Sequence, residues 1–206
     1  MADNTQLGSG STDTIATDDI SGVKFQRGKI SLGADGIFDG DVCLTNPMPV
    51  KTIEGQIGSG DLVDVTLSTL AVTYAIGQVL ADTQAITGVM RINAGAAMLE
   101  SVEIIDAAAQ SQALDLVFLR TNVSIGTENI ALSISDTNAL EILGIVKINS
   151  TDYISLTTSS IALANFNPFI LKSGSISTSI YVAAISRGTG TYGTTSLALK
   201  VGIVKL

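Results

Sequence analysis

Three carboxylates with the chemistry to bind a hard cation lie close together, because Asp35, Asp39 and Asp41 all fall within the sequence GADGIFDGDV. Carboxylate oxygens are ligands that Ca²⁺ accepts. The spacing is not that of an EF-hand loop, and no glutamate follows at the distance such a loop requires. Asp-Gly pairs also form turns, since both residues tolerate left-handed backbone. We therefore expect two solvent-exposed turns here, with a structural Ca²⁺ at these three residues as the alternative.

Acid–base catalysis is restricted by composition, because the chain contains no histidine. A Ser-His-Asp triad and His-ligated metal sites are therefore excluded. Paired carboxylates can hydrolyse glycosides, and Glu100 and Glu103 are the nearest pair of glutamates. In a strand, however, these two residues have opposite parity and would face opposite sides. We predict a protein that is not an enzyme and that uses no cofactor.

A glycine-rich loop, RGTGTYG at Arg187–Gly193, resembles a phosphate-binding loop in composition only. Such loops need a helix after them, since the helix N-terminus holds the phosphates, and here a strand pattern follows. The sequence therefore predicts a hairpin loop with Tyr192 at its tip. Tyr192 and Arg187 would either contact a neighbouring subunit or simply face solvent.

Net charge is −8 and the predicted pI is near 4.3. The chain has no basic run, so we expect no nucleic-acid partner. The single cysteine, Cys43, cannot form an internal disulfide. No secretory signal and no uninterrupted apolar run of membrane-spanning length is present, so we predict no membrane association.

The elements that would position these residues are best seen in Met98–Arg120. Leu114, Leu116 and Phe118 alternate with their neighbours, which indicates a strand, a polar crossing at Asp106–Gln112 and a strand back. A helix over the same stretch is the alternative, since alanines favour helix. The later sequence repeats the strand pattern, most clearly at Ile176–Val182 and Leu197–Ile203.

Further strands are predicted at Val63–Leu67, Tyr74–Leu80, Ile86–Ile92, Ile145–Asn149, Tyr153–Leu156 and, with an interruption at Asn167-Pro168, Ile161–Leu171. The segment Thr121–Asp136 is expected to be a loop with one weak strand, and Asn138–Leu143 a single helical turn. Many short strands without helical patterns between them predict an all-β fold, a β-sandwich of the jelly-roll type.

The chain divides into three parts on composition. Residues 1–20 are predicted to be flexible, since GSGS and scattered aspartates show no periodicity. Residues 21–59 form an extended N-terminal arm with too few apolar residues for a core of its own. A hinge at Gly55–Gly60 leads into the sandwich head, residues 60–206.

The arm is the part that resembles a known group. The string GVKFQR…GADGIFDGDV…NPMPV is similar to an N-terminal segment of tailed-bacteriophage virion structural proteins, and most of the chain from Ser21 onwards resembles the capsid decoration, or cement, proteins. That resemblance implies a β-sandwich head, often a homotrimer, and an arm that binds the major capsid protein.

The resemblance therefore implies a non-enzymatic protein on the capsid surface of a virion, assembled in the host cytoplasm. The arm residues that we expect to contact the capsid are Val23, Phe25, Arg27, Ile37 and Phe38. The alternatives are a receptor- or carbohydrate-binding head of a tail or capsid fibre, for which Tyr192 is the aromatic candidate, and another tail or neck protein.

Overall fold

A computed structural model describes the backbone of Asn4–Gln6, Thr14–Ile20 and Val23–Gln26, and all residues from 59 to 206, with side chains from residue 60 onwards. The chain forms two compact units, Met1–Thr52 and Ile53–Leu206. The division falls a few residues before the hinge predicted at Gly55–Gly60.

In the first unit, β1 (Asn4–Gln6), β2 (Thr14–Ile20) and β3 (Val23–Gln26) form an antiparallel sheet in the order β1-β2-β3. Val23 and Phe25 of the predicted capsid-binding arm therefore lie on a strand. The other arm residues, the three aspartates of the alternative Ca²⁺ site and Cys43 lie outside the described residues. The assignments of a flexible N-terminus and an extended arm remain predictions.

The second unit contains two main antiparallel sheets. The first is made of β4 (Ser59–Leu67), β7 (Ala96–Asp106), β10 (Tyr153–Ser155), β11 (Ser160–Leu163), β12 (Phe169–Lys172) and β15 (Leu197–Lys205). The second is made of β6 (Val79–Ile86), β8 (Leu114–Leu119), β9 (Ile142–Ile148) and β13 (Ile180–Ser186). The first sheet has the strand order β10-β11-β7-β15-β4, with β12 also paired to β7, and the second has the order β6-β13-β8-β9.

The remaining elements are short. Strands β5 (Thr73–Tyr74) and β14 (Gly190–Thr191) pair with each other as a small ribbon. A helical turn, α1 (Asp136–Ala139), precedes β9, and a 3₁₀ turn (Ser150–Asp152) precedes β10. The N-terminus of α1 is capped by the Ser135 side chain, which accepts a hydrogen bond from the amide of Asn138.

The core lies between the two sheets, because each sheet turns alternate apolar residues toward the other. Leu67, Leu99 and Leu199 come from the six-stranded sheet and Leu116, Phe118 and Val182 from the four-stranded sheet, and all are fully buried. The prediction of an all-β sandwich is confirmed at this level. Leucine, valine and isoleucine fill the core, as expected from a chain that has no tryptophan.

The stretch Met98–Arg120 contains two strands, β7 and β8, as predicted, and the helical alternative is wrong. The strands lie in different sheets and do not pair, so the polar crossing between them carries the chain across the sandwich. Strand β7 also contains a bulge opposite Gly202 and Ile203. The bulge reverses the alternation, since Ala97 and Leu99 face the core before it and Val102 and Ile104 after it.

Three predicted strands are displaced. Tyr74–Leu80 is interrupted by a turn at Gly77, and Ile86–Ile92 by a turn at Gly88, both of which have positive φ. Ile176 precedes β13 and is almost fully exposed. The weak strand expected in Thr121–Asp136 is absent from that described segment, where Ala131 and Glu128 form only isolated bridges.

Candidate interaction surfaces

The outer face of the four-stranded sheet is covered by the chain itself. Val117 and Leu119 of β8 point away from the main core and pack in a second cluster with Ile125 from the loop after β8. The loop is fixed to the edge strand β6, where the amide of Val79 donates to the carbonyl of Ile130 at 2.9 Å and Asn129 donates back to Val79 at 2.9 Å. The loop therefore covers much of this face, while Ile145 of β9 remains 48% exposed on it.

The outer face of the six-stranded sheet is open. Its side chains alternate with the core residues of the same strands, and many of them are apolar. The apolar members are Leu62, Met98, Ile105, Ile154, Ile161, Leu163, Ile170, Ala198 and Val204. Leu62, Ile154, Leu163 and Ile170 are 59–66% exposed. We call this surface the open face.

One end of the open face carries a ridge of branched side chains. Ile154 of β10 is paired with Ile161 of β11, and Ile161 is paired with Ile105 of β7. Directly paired residues on one face of a sheet have Cβ atoms about 5 Å apart, so the three side chains form a continuous row across three strands. We call this row the ridge.

The other end of the open face is hollow. Gly60 of β4 and Gly202 of β15 have no side chains there, and Leu62, Glu100 and Val204 surround a shallow depression of about 450 Å³. An added Cβ at Gly202 would overlap the Oγ atom of Ser101 on the paired strand, so the Ser101 side chain would have to rotate. We call this depression the hollow.

A row of charges crosses the open face between the ridge and the hollow. Lys200 of β15 is paired with Glu103 on one side and with Asp64 on the other, and its Nζ lies 3.6 Å from Oε1 of Glu103. At the edge beside the hollow, Nζ of Lys205 lies 2.9 Å from Oδ2 of Asp61. The hydrogen bond and charge of Lys205 lower the pKa of this exposed carboxyl below its usual value.

The parity of Glu100 and Glu103 predicts that they face opposite sides of the sheet, and this prediction is wrong. The bulge in β7 changes the alternation between them, so Glu100 is exposed at the hollow and Glu103 pairs with Lys200 on the same open face. The two carboxylates therefore lie on one open sheet surface, and that of Glu103 is in an ion pair with Lys200.

Tyr192 was predicted at a loop tip, and this prediction is wrong. Its side chain is 2% exposed and packs on the ring of Tyr74, with the centroids 6.2 Å apart. The loop is also not a hairpin, since β13 and β15, which it joins, lie in different sheets. The pairing of β14, which lies within the loop, with β5 turns Tyr192 inward to the main core.

The burial of tyrosines at this end of the sandwich has an electrostatic consequence. Burial raises the pKa of Tyr153 and of Tyr192 far above the usual value, and the charge of Asp106 raises both further. Neither hydroxyl has a hydrogen-bond partner. A buried phenol with a raised pKa is neutral at physiological pH and is a structural group here, not a surface for a sugar.

Arg187, the other residue of the loop singled out from sequence, forms an ion pair with Asp115 of β8, with Nε and Oδ2 2.7 Å apart. Lys147 lies opposite Asp115 on the neighbouring strand β9. Arg187, Asp115 and Lys147 together line a small polar cleft of about 260 Å³. The carboxylate thus offsets one of the two positive charges. Sequence analysis identified Arg187 but not its partner, which is distant in the chain.

Within the described residues, no group of three potential ligands is placed to hold a metal ion, and no helix there is long and apolar enough to span a membrane. The open face itself was not predicted. Its only sequence signal is that Ile154, Ile161, Leu163 and Ile170 occur at positions where a solvated strand would alternate with polar residues. No family model and no curated protein matches this chain.

Proposed function

We propose that this chain is a non-enzymatic decoration, or cement, protein on the capsid of a tailed bacteriophage. In this proposal the N-terminal arm binds the major capsid protein, and the sandwich heads associate as a homo-oligomer, expected to be a trimer. The resemblance of the arm sequence carries the proposal. An apolar open face on a head whose other sheet is covered supports it, because a cement protein must bury surface against other virion subunits.

The jelly-roll type is part of the proposal, and the order of strand pairing supports it. Strand β4 pairs with β15, β6 with β13, β7 with β11 and β12, and β8 with β9. In the order along the chain, the first strand of the head pairs with the last, the second with the second last, and so on, as in one long hairpin. Successive pairs fall in opposite sheets, and the pairings β15–β7 and β13–β8 complete each sheet. With β11 and β12 counted as one interrupted strand, eight strands rolled in this way give two sheets with Greek-key connections.

Binding would combine extended backbone and multivalency. An arm that adds a strand to a neighbouring sheet gains main-chain hydrogen bonds as well as apolar burial. When several arms belong to one oligomer, each bound arm raises the effective concentration of the others. A protein with these properties needs no active site.

The test is cosedimentation of the full chain with capsids that lack it, prepared from the phage whose genome encodes the chain. We expect saturable binding with a fixed number of copies per capsomer. Phe25→Asp and Phe38→Asp should each weaken binding by at least about tenfold, because a charge replaces an aromatic anchor.

Leu140→Asp is the matched control, since Leu140 is 77% exposed and lies after α1 in the head, outside the arm. It should bind as the unaltered chain does. If the unaltered chain stays in the supernatant at every ratio of protein to capsid, the proposed function is wrong.

The carbohydrate-binding alternative loses the residue on which it rested. Sugar sites on sandwiches use an exposed aromatic ring, and Tyr192 lies in the core. We therefore do not propose a lectin function.

A further inference from the structure

We propose that the open face is the contact between two copies of this chain, with the ridge of one copy seated in the hollow of the next. The inference names the surface through which the proposed oligomer forms. It is independent of capsid binding, since it concerns the protein alone in solution.

The size of the open face fits such a contact. It spans the five strands β10, β11, β7, β15 and β4. At about 4.8 Å per strand and about 3.3 Å per residue over the rows from Ala198 to Val204, its planar area is on the order of 550 Å². Two such faces together would bury about 1,100 Å², which is the size of the smaller, transient protein–protein interfaces.

The shape of the open face favours a second copy over an unrelated partner. The ridge stands at the Ala198 row, and Gly202, in the floor of the hollow, is four residues along the same strand, or about 13 Å away. A copy of the chain brings both the convex and the concave element to the contact. Because ridge and hollow lie on the same face, a twofold axis can place the ridge of each copy in the hollow of the other.

The charges of the open face argue against one class of partner. The row Asp64–Lys200–Glu103 contains two carboxylates and one ammonium group, and Glu100 adds a third carboxylate on the same face. A polyanion or a strongly acidic surface would therefore meet an excess of negative charge.

The experiment measures the native mass of the full chain by light scattering over a dilution series, with two variants of the open face. Leu163→Lys places a charge beside the ridge, on a side chain that is 64% exposed. Gly60→Leu fills the hollow, and no atom of the same chain lies within 4 Å of the added Cβ. We expect an oligomer for the unaltered chain and a dissociation constant at least about tenfold higher for each variant.

Leu140→Lys is the matched control, because it makes the same change on an exposed leucine away from the open face. It should leave the mass unchanged, and circular dichroism should show the same strand content for all variants. The inference is wrong if the unaltered chain is a monomer at every concentration. It is equally wrong if both open-face variants keep the original mass, which would mean that something other than a second copy covers this surface.

The result separates the two proposals. An oligomer broken by Leu163→Lys and Gly60→Leu, in a chain that binds no capsid, would support the contact and reject the function. A monomer that still binds capsids would do the reverse. A dimer would support the contact and replace the expected trimer.

Discussion

At the scale of single residues, Asp106 has the most demanding position in the head. It is fully buried at the end of β7, where the chain leaves one sheet for the other. Its Oδ1 accepts a hydrogen bond from the amide of Ala108 at 2.9 Å, and its Oδ2 accepts one from the amide of Ser111 at 2.8 Å. The carboxylate thus satisfies two backbone donors of a crossing in which Ala109 and Ser111 have positive φ.

Replacing this carboxylate should therefore be costly. Asp106→Ala leaves two amides without their acceptor, and we expect the free energy of unfolding to fall by about 2–4 kcal/mol. Asp106→Asn keeps one acceptor oxygen, so its loss should be about 1–2 kcal/mol. Urea unfolding followed by circular dichroism measures both. Equal losses would show that the two amides do not depend on separate carboxylate oxygens.

Single residues were also where sequence reasoning was weakest. The alternation in β8 identified Leu114, Leu116 and Phe118 as core residues correctly, because the period of a strand depends on local backbone alone. Tyr192 was misplaced, because its burial depends on a two-residue pairing with β5, distant in the sequence. Glu100 and Glu103 were misplaced for a different reason, since a bulge has no fixed sequence signature.

At the scale of elements, the two sheets are joined along one side by an aromatic contact. Phe169 of β12 packs edge-on against Phe118 of β8, with the ring centroids 6.1 Å apart, and also against Phe166. The ring lies over Gly144 of β9, where an added Cβ would come within 2.5 Å of Cε2. The absence of a side chain at Gly144 therefore lets a residue of the six-stranded sheet reach a strand of the other sheet.

This contact predicts an energetic coupling between β12 and β9. Gly144→Ala should lower the free energy of unfolding by about 1–3 kcal/mol, since Phe169 must move. In the presence of Phe169→Leu the same change should cost less, by more than about 0.5 kcal/mol, because the ring is gone. Gly60→Ala is the control, with open space around its added Cβ. Additive losses in the double variant would argue against the contact.

The strands that were predicted most accurately are those whose bounds follow from the local alternation of apolar and polar residues. Strands β4, β9, β11, β12 and β15 were located within a few residues, including the interruption before Pro168 that separates β11 from β12. The errors at Tyr74–Leu80 and Ile86–Ile92 arose because apolar residues continue through Gly77 and Gly88. Both glycines adopt positive φ, which ends the strand although the pattern of hydrophobicity does not.

At the scale of the whole molecule, the strand pattern indicated two packed sheets but could not show which strand joins which sheet. That assignment depends on pairings such as β4 with β15, which connect the two ends of the head. It also leaves one sheet covered by the loop after β8 and the other open, a difference decided by tertiary packing of Ile125 and its neighbours. The open face is therefore a property of the assembled head.

The stability of the whole head should fall at alkaline pH. Burial raises the pKa of Tyr153, Tyr192 and, to a smaller extent, Tyr74 above the value of about 10 that each has in the unfolded chain. Above pH 10 the unfolded state therefore loses protons that the folded state keeps. Because the unfolded state then binds fewer protons, the free energy of unfolding decreases as pH rises, and the contribution is fully present only below pH 10.

Tyr192→Phe isolates one of these groups. Its hydroxyl has no hydrogen-bond partner, so at pH 8 the variant should be as stable as the unaltered chain to within about 1 kcal/mol. Between pH 8 and pH 11 the unaltered chain should lose about 1.4 kcal/mol more than the variant, since one unfolded-state ionisation has been removed. Urea unfolding at both pH values measures the difference. If the two proteins lose stability equally, the Tyr192 phenol ionises as readily in the folded head as in the unfolded chain, and it cannot be buried as the ribbon of β5 and β14 requires.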